Sequence, residues 1–326
     1  MEQMQSLCLH KELAIGVDLG GTNIKFALVD TTGLIIDKLE VPTQSQKGWE
    51  AVLESIYQGV TRILAQTNLS IQEIKGVGLG IPGLTNTQTG VVQWSPNLNW
   101  QEIPLGPWLR QRLNIPIVID NDANMAAFGE FWAGGGKGYP NMVLLTIGTG
   151  IGGGVIIDGE ILHGSFGGAG EIGHTVVLPK GPKCSCGNQG CLEALTAAPA
   201  LIRRAEELLD SYKASSLQDV ELITAKDIFL AAEQGDKLSL EIIDEMTYYL
   251  GIGIGNLINI LNPGIVLIGG GVSRGGALIM NPLRKYALEN TLPIPRERVK
   301  LEFAALGNDA GAIGAAGRLF TDKELS

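Results

Sequence analysis

The sequence predicts an α/β fold built from two similar domains, and three features of the chain lead to this prediction. Apolar segments with strand character alternate with segments of helical periodicity. A pattern of strand, glycine turn and strand occurs twice, as VDLGGTNIKFALVD and as LTIGTGIGGGVIID. Glycine supplies 45 of the 326 residues, whereas about 7% is usual. Many backbone positions must therefore turn tightly or approach a ligand closely.

Short apolar runs bounded by turn residues predict the strands of the first domain. They span residues 13–19, 24–29, 34–39, 76–80 and 117–119. A helix is expected at about 49–66, because apolar residues recur there at helical spacing. A second helix is expected at 123–132, shortly after the last of these strands.

The repeated pattern predicts how the two domains are related. An offset of 128 residues pairs Asp18 with Thr146 and Asp30 with Asp158. Each copy is predicted to form a strand, a glycine turn, a strand, a turn and a third strand. Glycine turns are common, so two unrelated hairpins would also explain the turns alone. The constant offset and the matching third strand favour a duplicated domain, with a cleft between the two copies.

Composition and charge exclude several classes of protein. Charged residues make up 18% of the chain and apolar residues 45%, as in globular proteins. The net charge of −10 leaves no basic excess to neutralise phosphates, which argues against a nucleic-acid partner. The first residues lack the pattern of a secretory signal. Asparagines and Pro263 interrupt the apolar stretch 250–271, so a buried helix and a strand are expected there, not a membrane span.

Glycine-rich turns are the candidates for binding phosphate groups. Segments 78–83 and 148–153 have the G-x-G-x-x-G spacing, but neither opens a helix, so a Rossmann site is not expected. No P-loop motif is present. Consecutive amides of a glycine turn can instead form an anion nest, and two such turns facing each other would hold a polyphosphate. Asp18 ends the first strand and is placed to hold Mg²⁺ there, although a lone aspartate at a turn is more often a cap.

A short polar segment, Asp120–Asn121–Asp122, follows a strand and begins a helix. Asn and Asp are favoured helix caps, so one of the three is expected to be the cap. Ligands of α/β folds bind at the carboxyl edge of the sheet, where this segment lies. Asn121 can bind a sugar hydroxyl and Asp122 can accept a proton from another, since phosphoryl transfer requires positioning more than a strong base.

The pattern His174-x9-Cys184-x-Cys186-x4-Cys191 is typical of a closed Cys₃His zinc site. Three buried cysteines and an unrelated histidine are the alternative, but only four cysteines and three histidines occur in the chain. Such clustering fits a metal site in a reducing compartment, so we expect a cytoplasmic protein. Glu171 and Glu193 flank this segment. Loose surface carboxylates would explain both, but beside a metal they are better interpreted as rigid acceptors for sugar hydroxyls.

Seven motifs resemble those of the ROK family of bacterial sugar kinases and repressors, in the same order. They are GVDLGGTNIK, IDNDAN, TIGTGIGGG, GEIGH, CSCGNQGCLE, LIGGGVS and GNDAGAIGAA. The similarity covers about residues 13–319. The cysteine-rich motif is specific to the family, whereas the glycine turns are shared with the wider actin-like ATPase superfamily. The resemblance implies two RNase-H-like domains, with residues 1–118 completed by a helix at 305–326, and residues 119–304 carrying the zinc site.

The resemblance also implies a role for each candidate residue. Asp122 would be the general base in transfer of a phosphoryl group from ATP to a hexose. The residues implied to bind the sugar are Asn97, Asn121, Asp122, Glu171, His174 and Glu193. The residues implied to bind the nucleotide and its Mg²⁺ are Asp18, Gly20, Gly21, Thr22, Asn23, Lys25, Thr146, Gly148, Thr149, Gly150, Gly270 and Gly271. His174 would serve twice, ligating the structural Zn²⁺ through one ring nitrogen and contacting a hydroxyl through the other.

Several functions stay open at this point. The segment PNLNW at 96–100 is similar to that of family members that phosphorylate glucose, but its spacing departs slightly, so an N-acylmannosamine or another hexose is the alternative substrate. A sugar-responsive repressor would carry a helix-turn-helix domain in front, and only about a dozen residues precede the first strand here. A non-catalytic nucleotide-binding protein would not need the carboxylates beside the zinc. A homodimer would be usual for the family, and ATP, another nucleotide or polyphosphate could be the donor.

Overall fold

Thirteen strands and ten α-helices form the part of the chain, residues 12–321, that this computed structural model describes. The strands are β1 (Leu13–Leu19), β2 (Asn23–Asp30), β3 (Ile35–Pro42), β4 (Ile74–Ile81), β5 (Leu84–Asn86), β6 (Val91–Ser95), β7 (Trp100–Ile103), β8 (Ile117–Asn121), β9 (Met142–Ile147), β10 (Ile151–Ile157), β11 (Glu160–Ile161), β12 (Ile265–Gly269) and β13 (Lys300–Phe303). The helices are α1 (Trp49–Thr67), α2 (Leu105–Leu113), α3 (Asp122–Ala133), α4 (Leu192–Thr196), α5 (Ala198–Leu208), α6 (Ala225–Glu233), α7 (Lys237–Leu261), α8 (Ala277–Glu289), α9 (Pro293–Arg298) and α10 (Ala310–Thr321). These bounds confirm the strands and helices predicted from the sequence, with shifts of up to three residues.

Two five-stranded sheets share one strand order. The first runs β3-β2-β1-β4-β8, with β1, β2 and β3 antiparallel in turn and β4 and β8 parallel to β1. The second runs β11-β10-β9-β12-β13, with β12 parallel to both β9 and β13. This common order is what the duplicated sequence pattern predicted.

The third strand is where the two copies differ. β3 has eight residues, whereas β11 has two and pairs with the end of β10 across a tight turn. Asp158 and Gly159 form that turn with positive φ angles of 51° and 83°, a conformation typical of two-residue hairpins. The third strand predicted for the second copy is therefore present, but it is only two residues long. A small antiparallel sheet, β5-β6-β7, is a further feature that the sequence did not predict.

The chain divides into two compact units. The first contains residues up to 140, residues 154–170 and the segment from 305 onward, and the second contains residues 141–153 and 171–304. The first unit runs on to residue 140, whereas the boundary implied by the resemblance lies after residue 118. The difference arises because α3, which follows β8, packs against α10 within the first unit. The predicted limits at residues 1 and 326 lie outside the described residues.

The hydrophobic core of the first unit forms between α1 and the first sheet. The apolar face predicted for α1 is buried, including Val52, Ile56, Val60 and Ile63. The predicted buried helix and strand at 250–271 correspond to α7 and β12. No helix within residues 12–321 combines the length and the hydropathy that crossing a bilayer would require.

Glycine allows α10 to touch α3 backbone to backbone. A Cβ added at Gly314 would lie 1.8 Å from the carbonyl oxygen of Met125, and one added at Gly129 would lie 2.2 Å from that of Ala310. No side chain can occupy either position unless the helices move apart. The glycine excess therefore also serves helix packing, in addition to the turns and ligand contacts expected from the sequence.

The same helix approaches the first sheet equally closely. An added Cβ at Gly16 would lie 1.7 Å from the carbonyl oxygen of Ala312, and one at Gly78 would lie 1.9 Å from that of Ala315. Gly16 belongs to β1 and Gly78 to β4, the two central strands. The backbone of α10 thus lies directly on the middle of the sheet.

A buried carboxylate ties the segment before α10 to the end of α3. Glu130 is fully buried. Its Oε1 accepts a hydrogen bond from the amide of Leu306 at 2.7 Å, and its Oε2 accepts from those of Ala305 at 3.0 Å and Gly135 at 2.8 Å. Such charge-assisted bonds offset the loss of water around a buried carboxylate.

We expect Gly314→Ala to destabilise the protein, although a helical glycine is ordinarily about 1 kcal/mol less favourable than alanine. The added methyl group must displace the backbone of α3, and overpacking of this kind costs about 2 kcal/mol or more. Gly21→Ala is the control, because its added Cβ would meet no atom within 4 Å. Chemical denaturation of the three proteins measures the effect, and a Gly314→Ala protein as stable as the wild type would contradict this packing.

Candidate catalytic turn and metal cluster

The turn between β8 and α3 is fixed by the side chain of Asn121. Its Oδ1 accepts hydrogen bonds from the amides of Ala123 at 2.9 Å and Asn124 at 3.2 Å, which makes Asn121 the N-cap of α3. Its Nδ2 donates to the carbonyl oxygen of Gly83 at 3.1 Å. The predicted cap is therefore confirmed, and the amide is held at both ends.

Asp122 is the first residue of α3 and is partly buried. Its Oδ1 accepts a hydrogen bond from the amide of Ala123 at 2.9 Å. The amides at a helix N-terminus favour negative charge nearby, so this position stabilises the carboxylate. Gly80 lies on β4, the strand next to β8. A Cβ added at Gly80 would lie 3.3 Å from the Cα of Asp122, which is closer than most Cβ atoms approach a neighbour.

Asp120 and His163 form a pair that the sequence analysis did not identify as functional. The Asp120 side chain is buried, and its Oδ2 lies 2.6 Å from His163 Nε2. The hydrogen bond from this ring to Asp120 raises the pKa of His163 above its ordinary value, although partial burial opposes the shift. The pair therefore stabilises the fold fully at low pH and loses this contribution as the pH rises through the raised pKa. The sequence feature that could have pointed to this pair is that His163 lies outside the cysteine cluster.

Asn97 lies in a short 3₁₀ turn at Pro96–Leu98, after β6, and is exposed. This turn is connected through Gly83 to the turn between β8 and α3. An added Cβ at Gly83 would lie 2.3 Å from the carbonyl oxygen of Trp94, so the two segments pack closely, and the carbonyl of Gly83 accepts from Asn121. The structure thus links the segments that carry Asn97 and Asn121.

The four predicted metal ligands come together in the second unit. The ligand atoms of His174, Cys184, Cys186 and Cys191 all lie within 4.8 Å of one another. Cys184 Sγ is 3.6 Å from His174 Nδ1, and Cys186 Sγ is 3.7 Å from Cys191 Sγ. A tetrahedral zinc ion with bonds of about 2.0–2.3 Å separates its ligands by roughly 3.3–3.8 Å. The donor set and its spacing therefore fit zinc, and these three cysteines are free thiols.

Local backbone turns bring the sulfur atoms of the cysteines close together. The amide of Gly187 donates to the carbonyl of Cys184 at 3.0 Å, and Gly187 has a φ of 96° that favours glycine. Cys191 is the N-cap of α4. The backbone amide of Asn188 lowers the pKa of the Cys186 thiol, whereas burial raises the pKa of Cys191 to about 12. A cation is then needed to hold the buried Cys191 as a thiolate at neutral pH.

Glu193 joins the cysteine segment to the second glycine turn. Its Oε2 accepts from the amide of Ile151 at 2.9 Å, and its Oε1 accepts from the hydroxyl of Ser185 at 3.3 Å. The Cys184 thiol lies 3.8 Å from the same Oε1. Both carboxylate oxygens of Glu193 are therefore in contact with protein groups, which hold the side chain in place.

Glu171 precedes a single 3₁₀ turn, Ile172–His174, which ends at His174. The side chain of Glu171 is exposed and that of His174 is partly buried. Nδ1 is the ring atom of His174 nearest Cys184, which leaves Nε2 on the opposite side of the ring. An added Cβ at Gly173 would lie 2.6 Å from the carbonyl of Ile151, so this turn packs on the start of β10.

The first predicted nucleotide turn lies between β1 and β2. Gly20 donates from its amide to the carbonyl of Asn23 at 3.0 Å, which closes the turn around Gly21 and Thr22. Asp18 pairs across the strands with Lys25, whose Nζ lies 3.8 Å from Oδ2. Burial raises the pKa of Asp18, and Lys25 only partly offsets the shift. A divalent cation would supply the positive charge that this carboxylate lacks.

The side chain of Asn23, which was predicted to bind the nucleotide, already has a protein partner. Its Nδ2 donates a hydrogen bond to Glu40 Oε1 at 2.6 Å. This bond connects the side chains of β2 and β3.

The second predicted nucleotide turn, residues 148–150, joins β9 to β10. The amide of Gly148 donates to the carbonyl of Gly150 at 2.9 Å, and an added Cβ at Gly148 would meet no atom within 4 Å. Thr146 lies near the end of β9, and Thr149 lies in the turn. Gly270 and Gly271 follow β12, and Gly270 has a φ of 81° with its Cα packed against Ile147.

Comparison with known proteins shows which family this chain is similar to. The model of the ROK family matches residues 14–322. A glucokinase from Halalkalibacterium halodurans is 42% identical over 305 residues, 92% of this chain and 92% of that protein. The structure of a ROK family glucokinase from Streptomyces griseus, in complex with glucose and AMPPNP, is similar with a TM-score of 0.79 and 35% identity, covering 93% of this chain and 98% of that one. A xylose repressor from Caldicellulosiruptor bescii is 33% identical over 313 residues, and the match covers 94% of this chain and 78% of the repressor.

We expect freshly purified protein to contain about one zinc ion per chain. The ion should be lost as the pH falls, because protons compete for the three thiolates and the imidazole. Cys184→Ser should weaken zinc binding by at least about tenfold. The control is Cys8→Ser, at the fourth cysteine, which lies outside the described residues. Elemental analysis after dialysis at several pH values measures the result, and wild-type protein free of zinc would contradict the prediction.

Proposed function

Because the chain belongs to the ROK family, we propose that it is an ATP-dependent glucokinase, which transfers the γ-phosphoryl group of ATP to the 6-hydroxyl of glucose. The observation that carries the proposal is the Asn121–Asp122 turn, in which a carboxylate starts a capped helix at the carboxyl end of a parallel strand. The relatives named glucokinase supply the reaction, since they match at higher identity than the repressor.

In the proposed reaction Asp122 is the general base. As the hydroxyl oxygen of the sugar approaches the γ-phosphorus, its proton passes to the Asp122 carboxylate. A bond forms between the sugar oxygen and phosphorus, and the bond from phosphorus to the bridging oxygen of ADP breaks. Phosphoryl transfer has a loose transition state, so a carboxylate held in position by its helix is sufficient.

The proposed sugar contacts are hydrogen-bonding side chains. Asn97 is exposed, and Asn121 donates one amide hydrogen to the Gly83 carbonyl and has a second to offer. Glu171 and Glu193 are proposed to accept hydrogen bonds from sugar hydroxyls, and His174 is proposed to offer Nε2. All are hydrogen-bonding groups, which suits a hexose with every hydroxyl free.

The proposed nucleotide contacts are the amides of the two glycine turns, 20–23 and 148–150, with Gly270 and Gly271 near the adenosine. Asp18 is proposed to hold Mg²⁺, because it lies near the end of β1, directly before the first glycine turn. ATP is the proposed donor, because the related structure binds AMPPNP. Zinc held by His174 and the cysteines would have a structural role, orienting the His174 ring toward the sugar.

We further propose a cytoplasmic homodimer. The free thiols among the described cysteines support a reducing compartment. A dimer is the usual state for the family, and sedimentation analysis would test it.

The base is tested by Asp122→Asn. This variant should keep the fold and bind glucose, but turnover should fall by on the order of 10²–10⁴. Asp210→Asn is the matched control, since the side chain of Asp210 is 98% exposed and pairs only with Lys213. Coupled assays of purified proteins give kcat, and glucose binding by calorimetry confirms an intact site. Turnover within a few-fold of wild type would remove Asp122 from the role of base.

The choice of sugar is tested by a kinetic panel. We expect glucose to give a higher kcat/KM than N-acetylmannosamine, N-acetylglucosamine or fructose, because no acyl pocket is evident among the proposed contacts. 2-Deoxyglucose should be a poorer substrate, since a missing hydroxyl leaves a site group unpaired. An N-acetyl sugar that outperforms glucose would reassign the substrate and leave the mechanism unchanged. Polyphosphate in place of ATP tests the donor in the same assay.

A further inference from the structure

Asp120 lies two residues before the proposed base and is too enclosed to act on a substrate itself. It is 5% exposed and pairs in register with Gly80 of the neighbouring strand. Its two oxygens accept three hydrogen bonds from three different groups. Oδ1 accepts from the amide of Asn121 at 2.7 Å and from Asn124 Nδ2 at 3.0 Å, and Oδ2 accepts from His163 at 2.6 Å.

These bonds fix the catalytic turn from both sides. Asp120 holds the backbone amide of Asn121 from the strand side, whereas the Asn121 side chain holds the first amides of α3 from the helix side. Asp122 lies between the two sets of bonds. The direction of its carboxylate therefore depends on where the Asp120 side chain is held.

His163 is the partner that holds Asp120 from outside this turn. It follows β11 and belongs to the same unit, 43 residues further along the chain. The ring is 31% exposed, so water reaches its far side while Nε2 faces the buried carboxylate. The other charged groups that act on it are Arg318 and Glu160, which form an ion pair of their own at 3.3 Å.

We propose that His163 is a positioning residue for phosphoryl transfer, which acts by anchoring Asp120 and thereby orienting the Asp122 carboxylate toward the sugar hydroxyl. The inference rests on the proposed function of Asp122. Without the ring, the buried Asp120 carboxylate loses its partner at Oδ2 and must rotate toward water or take up a proton. Either change alters its bond to the Asn121 amide, and a displacement of about 1 Å at a reacting group costs on the order of a hundredfold in rate.

The variants that test the proposal are His163→Ala and His163→Gln. Glutamine can place an amide nitrogen near the position of Nε2, so it should restore a donor to Asp120 without the ring. We expect His163→Ala to lower kcat by about ten- to a hundredfold, with KM for glucose and ATP changed by less than about threefold, and His163→Gln to recover most of the loss. Equal kcat in His163→Ala and wild type would overturn the proposal.

A control variant and a double variant distinguish the proposed positioning role of His163 from a purely structural role. Arg112→Ala removes another ion pair of the first unit, Arg112–Glu54 at 2.9 Å, and should change thermal stability without changing kcat. In the Asp122→Asn background, His163→Ala should have no further effect, because residues that act through one another are not additive. The same fold-loss in both backgrounds would mean that His163 does not act through Asp122, and the proposal would fail.

Titration of the histidine rings by NMR gives a test that needs no substrate. The resonance missing from His163→Gln identifies His163, and its pKa should be raised in wild type and should fall in Asp120→Asn. A pKa that does not respond to Asp120→Asn would show that the pair does not form in solution, which overturns the proposal. Asp122→Asn alone reports on the proposed function, so failure of the base and failure of the positioning pair give different results.

Discussion

The contact of the α10 backbone with α3 and with the two central strands is the constraint on which the first unit depends. Four glycines, Gly16, Gly78, Gly129 and Gly314, make this contact possible by removing the side chains that would separate the elements. Because α3 begins with Asp122, the helix that carries the proposed base is held along one side by α10 and at its end by Glu130. Its N-terminus is in turn fixed by Asn121 and Asp120. The Asp122 carboxylate is therefore positioned by packing over the length of its helix and by hydrogen bonds at its start.

Sequence reasoning succeeded where the determining contacts are local. The strands and helices, the cap at Asn121 and the convergence of the cysteines all follow from residue types at short spacing. It failed where the determining contact is distant. Asp120 and His163 are 43 residues apart in the chain and meet within the first unit, which contains residues 154–170 as well as β8. The small sheet β5-β6-β7 was missed because its strands are only three to five residues long.

In the second unit a single carboxylate connects the metal cluster to the glycine turn. Glu193 contacts Ile151, Ser185 and Cys184, so the position of the turn after β9 is coupled to the geometry of the cysteines. A change in the geometry of the cysteines can therefore shift the glycine turn that is proposed to bind phosphate. The position of Glu193 also explains why Gly150 carries no side chain, since an added Cβ would lie 2.6 Å from Glu193 Oε2.

The placement of α10 has a consequence for protein synthesis. The second unit is formed by residues 141–153 and 171–304, so the ribosome completes it before it makes α10. Until then, Gly16 and Gly78 line an uncovered face of the first sheet, and Glu130 lacks the amides of Ala305 and Leu306. The unit that begins first on the nascent chain is thus the last to finish folding. Its unfinished apolar face is uncovered throughout that interval, and transiently exposed apolar surface of this kind favours aggregation.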